Sequence, residues 1–311
     1  MPHIQADDVD GAVWGMGYCH ALDRGMQMGL MRVLSKGRLC ECFDDSDASL
    51  ATDVFFRLMN WAGQMKTHVE ALDDDTCSLI KSYCEGVNAR FIEAQPWEFR
   101  LLGYQPEPWT EDCLILARMT GYLTLAQSQA EIERLFVELA QGGIDDEKLV
   151  HLFQGCFENS AFEHVSREIL QQEKMDERLV PSDLKWLAAP RAMASNNWVV
   201  SAKKSKTGNA LVSNDPHLEV NRLPNVGVEQ VVELPNDTFY CANMPGLPAP
   251  LVGRNQSLSW GATYTFLDAV DTWVEHCKDG TFRQGGDDEN ATRENFSQRK
   301  EVIQRKKKCC F

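Results

Sequence analysis

The stretch that best predicts the fold of this chain is Ala192-Met193-Ala194-Ser195-Asn196-Asn197-Trp198-Val199-Val200. Small residues lead into a serine, two amides follow it, and an apolar run then begins that is typical of a β-strand. A turn-like segment at 203–209 separates this run from a second one, Ala210-Leu211-Val212. The pattern predicts a β-hairpin in which residues 198–202 pair with residues 210–213.

Ser195 has two interpretations. The ordinary one is a loop serine in front of a strand. In the other, the chain is cut between Ala194 and Ser195, and the serine becomes the first residue of the strand. It then carries both a nucleophile, its hydroxyl, and a base, its free α-amine. A free α-amino group titrates near pH ~8, so it can take the proton of its own hydroxyl near neutral pH, directly or through one water.

Other segments accompany the serine in a fixed order. After it come Asn214-Asp215-Pro216-His217-Leu218, then Met244-Pro245-Gly246-Leu247-Pro248, then the run from Gly253-Arg254-Asn255 to Ser259-Trp260-Gly261-Ala262-Thr263. Before it come segments at 2–6, 17–28, 37–41, 86–89 and 107–110. Together these segments resemble the penicillin amidase family of N-terminal nucleophile hydrolases, which includes penicillin, cephalosporin and acyl-homoserine-lactone acylases. The resemblance covers nearly the whole chain, from Pro2 to about Lys308.

The expected fold class is α+β, with a helical N-terminal part followed by antiparallel strands. Residues 7–39 place apolar side chains at near-helical spacing behind an acidic start, and Asp23-Arg24 within them is expected to be a structural ion pair rather than a catalytic one. Further helical patterns occur at 55–72, 76–93, 113–125, 130–136, 148–153 and 162–172.

The resemblance implies that these segments form part of the αββα sandwich of the N-terminal nucleophile hydrolases. It divides the chain into three parts. Residues 1–150 form an α-chain-like helical part, residues 151–194 hold the end of the α chain and a processing spacer, and residues 195–311 begin a β chain at the nucleophile.

The resemblance also assigns the catalytic roles. Ser195 is the nucleophile and its α-amine is the base, and the cut after Ala194 exposes both. His217 falls at a position held by His in cephalosporin and lactone acylases, where it would orient the Ser195 hydroxyl. Without the family, a structural histidine after a strand is the alternative. The backbone N–H of Tyr264 is the expected oxyanion donor, and a backbone donor tolerates a changed side chain.

Four residues align with a calcium site of penicillin acylases: Glu131, Asp268, the carbonyl of Val270, and Asp271. Their oxygens suit calcium but make an incomplete shell, because calcium takes about six to eight oxygen ligands. Taken alone, Glu131 would be a surface charge on a helix and the aspartates a surface turn. Structural calcium is therefore a cofactor implied by the resemblance.

The expected substrate is a small-molecule amide. Thr124, Leu125 and Leu218 fall at or near the family positions that line the acyl pocket. A leucine at position 125, in place of an aromatic residue, suits an aliphatic acyl chain at least as well as a phenyl ring. His217 also departs from the penicillin G acylase pattern, which has Gln there. Penicillins, cephalosporins, lactone signals and simple N-acyl amino acids all stay open.

Composition restricts the partners. A net charge of −15 disfavours nucleic acids and anionic membrane surfaces, which need clustered Lys and Arg, and the one basic run, at 305–308, is expected to be a solvated end. No apolar run reaches the roughly 18 to 20 residues of a membrane helix. The eleven cysteines lack paired spacing, so free thiols are expected.

The first residues leave two compartments open. No signal peptide follows Met1, which predicts the cytoplasm for the sequence as written, and the periplasm or secretion if the true N-terminus is missing.

Two hypotheses of function remain. In the first, the chain is a zymogen that cuts itself into α and β chains and then hydrolyses amides, as a penicillin acylase of antibiotic metabolism or as a lactone or cephalosporin acylase. In the second, it is a non-catalytic truncated fragment of such an acylase. The family's second oxyanion donor, an Asn side chain, is expected further downstream, and Cys309-Cys310-Phe311 does not match the family. The hypotheses differ in whether the Ala194–Ser195 bond is cleaved.

Overall fold

The computed structural model describes residues 1–153, 195–217, 225–263, 270, 277–284 and 292–306, without the side chains of residues 124, 125, 127 and 128. These residues fall into two compact units. The first holds residues 1–123, 195–217, 225–263 and 303–306, and the second holds residues 124–153, 270, 277–284 and 292–302. The first unit therefore joins the N-terminal helices to the strands that follow Ser195.

The helices occupy most of the N-terminal part. They are α1 (Val9–Ser35), α2 (Leu39–Cys42), α3 (Asp47–Met59), α4 (Met65–Glu70), α5 (Asp74–Glu93), α6 (Trp97–Leu102), α7 (Asp112–Gly121), α8 (Gln127–Gln141) and α9 (Asp146–Leu152). A short π-helix, Tyr122–Ala126, joins α7 to α8. The α+β class is confirmed, and the predicted helix at 55–72 is broken into α3 and α4 because Asn60 adopts a left-handed conformation and ends α3.

Helix α1 begins where the sequence predicts it. The Asp8 carboxylate accepts a hydrogen bond of 2.8 Å from the Gly11 N–H and so caps the first turn. At Arg24 the helix is kinked, with φ −131° and ψ 24°, and the guanidinium bonds Asp23 at 2.8 Å and the carbonyl of Asn225 at 2.7 Å. The predicted Asp23–Arg24 ion pair is present, and Arg24 also joins α1 to the strand part of the unit.

Two glycines let α1 and α5 approach closely. A Cβ at Gly17 would lie 2.1 Å from the carbonyl oxygen of Tyr83, and a Cβ at Gly86 would lie 2.0 Å from that of Trp14. Any side chain at either position would push the backbones apart. The contact between these helices is the centre of the main core, to which Met28, Tyr83 and Val87 contribute fully buried side chains.

The principal sheet has five strands in the order β1 (His3–Gln5), β4 (Val228–Leu234), β5 (Asp237–Asn243), β6 (Pro250–Arg254) and β7 (Ser259–Trp260). Strand β1 is parallel to β4, with His3 opposite Val231, and the other pairs are antiparallel. Ile4, Val232 and Cys241 belong to the same core as the buried face of α1. Strand β1 is therefore an edge strand of this sheet, and α1 packs against the buried face of the sheet.

The predicted hairpin is formed by β2 (Ser195–Val200) and β3 (Leu211–Pro216). Trp198 pairs with Ser213, as the sequence predicts, and the pairing continues to Ser195 opposite Pro216. Trp198 and Val199 expose 65% and 73% of their surface, so within the described residues this two-stranded sheet buries little of its apolar surface.

The second unit contains two pieces of described structure. Helices α8 and α9 pack around a small core of Phe136, Ala140, Leu149 and Phe153. Strands β8 (Cys277–Lys278), β9 (Thr281–Arg283) and β10 (Arg293–Asn295) form an antiparallel sheet in the order β10-β9-β8. The predicted helix at 162–172 and the processing spacer lie outside the described residues.

The two described residues of the basic run, Arg305 and Lys306, contact the rest of the chain and do not form a solvated end. The Lys306 N–H donates to the Cys40 carbonyl at 2.6 Å, and its Nζ donates to the Leu102 carbonyl at 2.7 Å. Arg305 bonds the carbonyl of Asp45 in the acidic turn before α3. The prediction is wrong for Lys306 because backbone carbonyls near α2 and α6 offer acceptors that the sequence pattern does not reveal.

Among the described helices, none is long and apolar enough to cross a membrane. The eight described cysteines are free thiols, as predicted. Burial raises the pKa of the Cys40 thiol to about 11, so this thiol stays protonated at neutral pH.

Candidate active site

Ser195 is the first residue of β2 and is half-buried. Its pairing partner is Pro216, and its neighbour Asn196 pairs with Asp215. The structure thus brings the predicted nucleophile beside the Asn214-Asp215-Pro216-His217 segment, which the sequence singled out separately. Ala194, on the other side of the predicted cleavage site, lies outside the described residues.

The segment that follows β7 lies against the start of β2. The hydroxyl of Thr263 donates a hydrogen bond of 2.8 Å to the backbone carbonyl of Ser195. The Asn214 side chain donates to the Ala262 carbonyl at 2.8 Å and accepts from the Ala262 N–H at 3.3 Å. The Ser259-Trp260-Gly261-Ala262-Thr263 segment and the nucleophile are therefore neighbours in space, although 68 positions separate Ser195 from Thr263.

His217 lies at the exposed end of β3 and has two partners in the described part of the chain. Its Nε2 is 3.0 Å from the Asp215 carboxylate and 3.3 Å from the Asn196 amide nitrogen. With its proton on Nε2 the ring donates to Asp215, and the Asn196 amide nitrogen, itself a donor, is then a close contact and not a second hydrogen bond. The predicted bond from His217 to the Ser195 hydroxyl is not formed in this arrangement of the uncut chain, and its orienting role stays a prediction.

A buried polar chain runs beneath the loop between β5 and β6. The Tyr83 hydroxyl accepts a hydrogen bond of 3.0 Å from the Gly246 N–H and lies 2.8 Å from Nδ1 of His20. Both side chains are fully buried, and burial lowers the pKa of His20 to about 4. His20 is therefore neutral at pH 7, and its Nδ1 can accept a hydrogen bond from the Tyr83 hydroxyl. Sequence reasoning did not single out these residues, since a lone polar residue on a helix carries no signal of its burial.

The remaining predicted site residues are only partly described. Tyr264, Leu218, Asp268 and Asp271 lie outside the described residues, as do the side chains of Thr124 and Leu125, whose backbone belongs to the π-helix. Glu131 is on α8 in the second unit. No group of three or more His, Cys, Asp or Glu placed to hold a metal ion occurs among the residues that the structure covers. The oxyanion donor, the acyl pocket and the calcium ligands stay predictions.

Comparison with known proteins places these features in one family. The family model for penicillin amidase matches residues 1–309. The acyl-homoserine lactone acylase QuiP of Pseudomonas aeruginosa is 28% identical over 298 residues, which are 92% of this chain and 34% of that protein. The penicillin acylase 2 proenzyme of Pseudomonas sp. (strain SE83) is 26% identical over 298 residues, 93% of this chain and 38% of that protein.

A solved structure is also similar. The thermostable penicillin G acylase from Alcaligenes faecalis matches with a TM-score of 0.39 and 22% identity, over 57% of this chain and 90% of that one. The chain spans about a third of the length of the two acylases matched by sequence.

Proposed function

The chain belongs to the penicillin amidase family, and on that premise we propose that it carries the nucleophile of an acylase that exposes Ser195 by cutting its own chain. The observation that carries the proposal is the position of Ser195. It begins a strand, directly after the predicted cleavage site, and its carbonyl is bonded to the Ser259–Thr263 segment of the same family pattern. A loop serine without a function would not need this arrangement.

The cleavage step uses groups on this chain. The Ser195 hydroxyl oxygen attacks the carbonyl carbon of Ala194, and the hydroxyl proton passes to the Ser195 nitrogen as the C–N bond breaks. Water then hydrolyses the resulting ester, which leaves a carboxyl on Ala194 and a free amine on Ser195. This release is what turns a zymogen into an α chain and a β chain.

The free amine is then the base for substrate turnover. It takes the proton of its own hydroxyl as the oxygen attacks the substrate amide carbonyl, and it returns the proton to the leaving amine. Water hydrolyses the acyl ester and releases the acid. The developing oxyanion is stabilised by the backbone N–H of Tyr264, and removing a donor of this kind costs on the order of 10²–10³ in rate.

The substrate class we propose is an N-acyl amide with an aliphatic acyl chain. Leu125 and Leu218 would line the acyl pocket with Thr124, and His217 replaces the Gln of penicillin G acylases. The similarity to an acyl-homoserine lactone acylase supports N-acyl homoserine lactones as the first compounds to test, with penicillins second.

Calcium would have a structural role in this account. Glu131, Asp268, the Val270 carbonyl and Asp271 would hold it, and three carboxylates with one carbonyl are a donor set that suits this ion. The ion takes no part in the chemical steps.

The test is hydrolysis of a series of N-acyl homoserine lactones and penicillins by the purified protein, its Ser195→Ala variant and a Ser201→Ala control. Ser201 follows β2 and is exposed, so its substitution leaves the site unchanged. We expect release of the acid by the wild type and the control and none by Ser195→Ala. Equal turnover by all three proteins would refute the role of Ser195.

A further inference from the structure

The first residue of β2 has no hydrogen bond from the residue opposite it. Ser195 faces Pro216, and proline has no backbone N–H to donate across the ladder. The first and last residues of a chain are poorly ordered unless another group ties them down. After a cut at Ala194–Ser195, the residue that carries both the nucleophile and the base would be such a chain end.

The hydroxyl of Thr263 supplies a hydrogen bond at this point. Its Oγ1 donates to the Ser195 carbonyl oxygen at 2.8 Å. That carbonyl belongs to the peptide bond between Ser195 and Asn196, which cleavage leaves intact. The bond can therefore hold Ser195 both before and after the chain is cut.

Thr263 is itself held through the residue before it. The amide group of Asn214 makes two hydrogen bonds to the backbone of Ala262, at 2.8 Å and 3.3 Å, and the same Nδ2 donates to the Asn196 carbonyl at 3.2 Å. One side chain on β3 thus joins the second residue of β2 to the segment that carries Thr263.

Gly261 allows this close approach. A Cβ at position 261 would lie 2.8 Å from the Cβ of Asn214 and 2.9 Å from Nδ2 of Asn197. Contacts this short do not occur for real side chains, so only glycine lets the segment lie against the hairpin. The identities of Gly261 and Thr263 in the family segment are thus explained by one task, which is to hold the Thr263 hydroxyl beside Ser195.

We propose that Thr263 is a positioning residue for the N-terminal nucleophile, which it holds by its hydrogen bond to the Ser195 carbonyl, and that Asn214 sets Thr263 in place. The proposal rests on the proposed function, because positioning matters only if Ser195 reacts. Misplacing a reacting group by about 1 Å can cost on the order of 10²-fold in rate.

The experiment compares Thr263→Val, Thr263→Ser and a control, Thr238→Val, in the full chain. Valine keeps the shape of threonine but cannot donate, whereas serine keeps the hydroxyl. Thr238 is a strand threonine of the same unit whose hydroxyl has no partner in the part of the chain that the structure describes. The readouts are the rate of cleavage at Ala194–Ser195, the kcat and KM of the cleaved protein on an N-acyl amide, and hydrogen–deuterium exchange of peptides covering residues 195–197.

Thr263→Val is expected to slow cleavage by at least about tenfold and to lower kcat while KM stays within about threefold, because the lost contact is to the nucleophile and not to the substrate. It is also expected to speed exchange at residues 195–197, whereas Thr263→Ser and Thr238→Val behave as the wild type. Wild-type cleavage, kcat and exchange in Thr263→Val would overturn the proposal, as would failure of serine to rescue them. If the wild type itself is not cleaved, the proposed function fails, and the exchange comparison alone decides whether Thr263 holds Ser195.

Discussion

The phenol oxygen of Tyr83 lies 2.8 Å from Nδ1 of His20, in the core between α1 and α5. The same oxygen accepts the Gly246 N–H of the loop between β5 and β6. One hydroxyl therefore bonds one ring nitrogen of a helix histidine and a loop amide from distant parts of the sequence. This contact fixes the Met244–Pro248 segment, one of those that carry the family pattern, against the helices.

Removal of that hydroxyl should destabilise the protein. Tyr83→Phe leaves a buried acceptor and a buried donor unpaired, and each such group costs about 1–3 kcal/mol. Tyr240→Phe is the matched control, since Tyr240 is 44% exposed and its hydroxyl has no partner among the described residues. Urea unfolding should show a loss of at least about 2 kcal/mol for Tyr83→Phe and under about 0.5 kcal/mol for the control. Equal losses would mean that the buried hydroxyl contributes nothing.

Stability should fall in acid partly through His20. Its pKa is lowered by burial to about 4 in the folded state, against about 6.5 in the unfolded chain, so between these values the unfolded state binds more protons. The free energy of unfolding therefore rises with pH from about 4 to about 6.5, by on the order of 3 kcal/mol from this group, and is flat above.

The measurement is the change in unfolding free energy between pH 5 and pH 7.5 in the wild type, His20→Asn and His68→Asn. An asparagine keeps an acceptor for Tyr83 but cannot be protonated. His20→Asn should show a smaller change than the wild type, and His68→Asn should match the wild type. An unchanged pH dependence in His20→Asn would show that His20 is not the group that titrates.

A buried ion pair joins α1 to α7. Asp112 is 2% exposed and accepts from Arg32 at 2.9 Å and Lys36 at 2.5 Å. Asp112→Asn leaves Lys36 without its carboxylate and leaves Arg32 only the longer contact to Glu107 at 4.0 Å, so it should cost about 3–5 kcal/mol in urea unfolding. Glu41→Gln removes one of the two carboxylate partners of Arg38 and leaves Glu107 at 2.9 Å, so it should cost about 1 kcal/mol or less. A small loss for Asp112→Asn would mean that solvent reaches the pair.

Gly246 should tolerate alanine less well than Gly208 does. Both have a positive φ, +97° and +73°, but a Cβ at Gly246 would lie 2.6 Å from Cδ1 of the buried Leu116, whereas the space around Gly208 is open. Gly208→Ala should cost about 1 kcal/mol of backbone strain, and Gly246→Ala should cost about 1–3 kcal/mol more because of overpacking. Thermal or urea unfolding of the two variants measures the difference, and equal losses would contradict the packing described for the loop.

The sequence predicts the elements whose signals are local. Residues 7–39 repeat apolar side chains with a helical period, and α1 covers most of them. The hairpin follows from two apolar runs around a turn, and β2 and β3 pair as predicted. The apolar pattern alone places the start of β2 at Trp198, because the polar residues at 195–197 give no strand pattern; the start at Ser195 agrees with the interpretation of Ser195 as the first residue of the strand.

Contacts between distant residues could not be predicted in this way. Strand β1 has three residues and pairs with β4 more than two hundred positions away, so no local pattern identifies its partner. Gly25 follows the kink of α1 at Arg24, but α1 contains other glycines without a kink, so the sequence alone does not locate it. The hydrogen bonds from Thr263 to Ser195 and from Asn214 to Ala262 depend on the same long-range packing, and the residues involved look like ordinary loop polar residues in the sequence.

The most direct test of the central claim is the intact mass of the purified protein, with N-terminal sequencing of any fragment, for the wild type and Ser195→Ala. The account predicts that the wild-type chain of 35.1 kDa yields a fragment beginning Ser195-Asn196-Asn197-Trp198 and that Ser195→Ala stays whole. A wild-type chain that remains at 35.1 kDa, or one that is cut at the same bond without the Ser195 hydroxyl, would contradict the claim that Ser195 exposes itself as an N-terminal nucleophile.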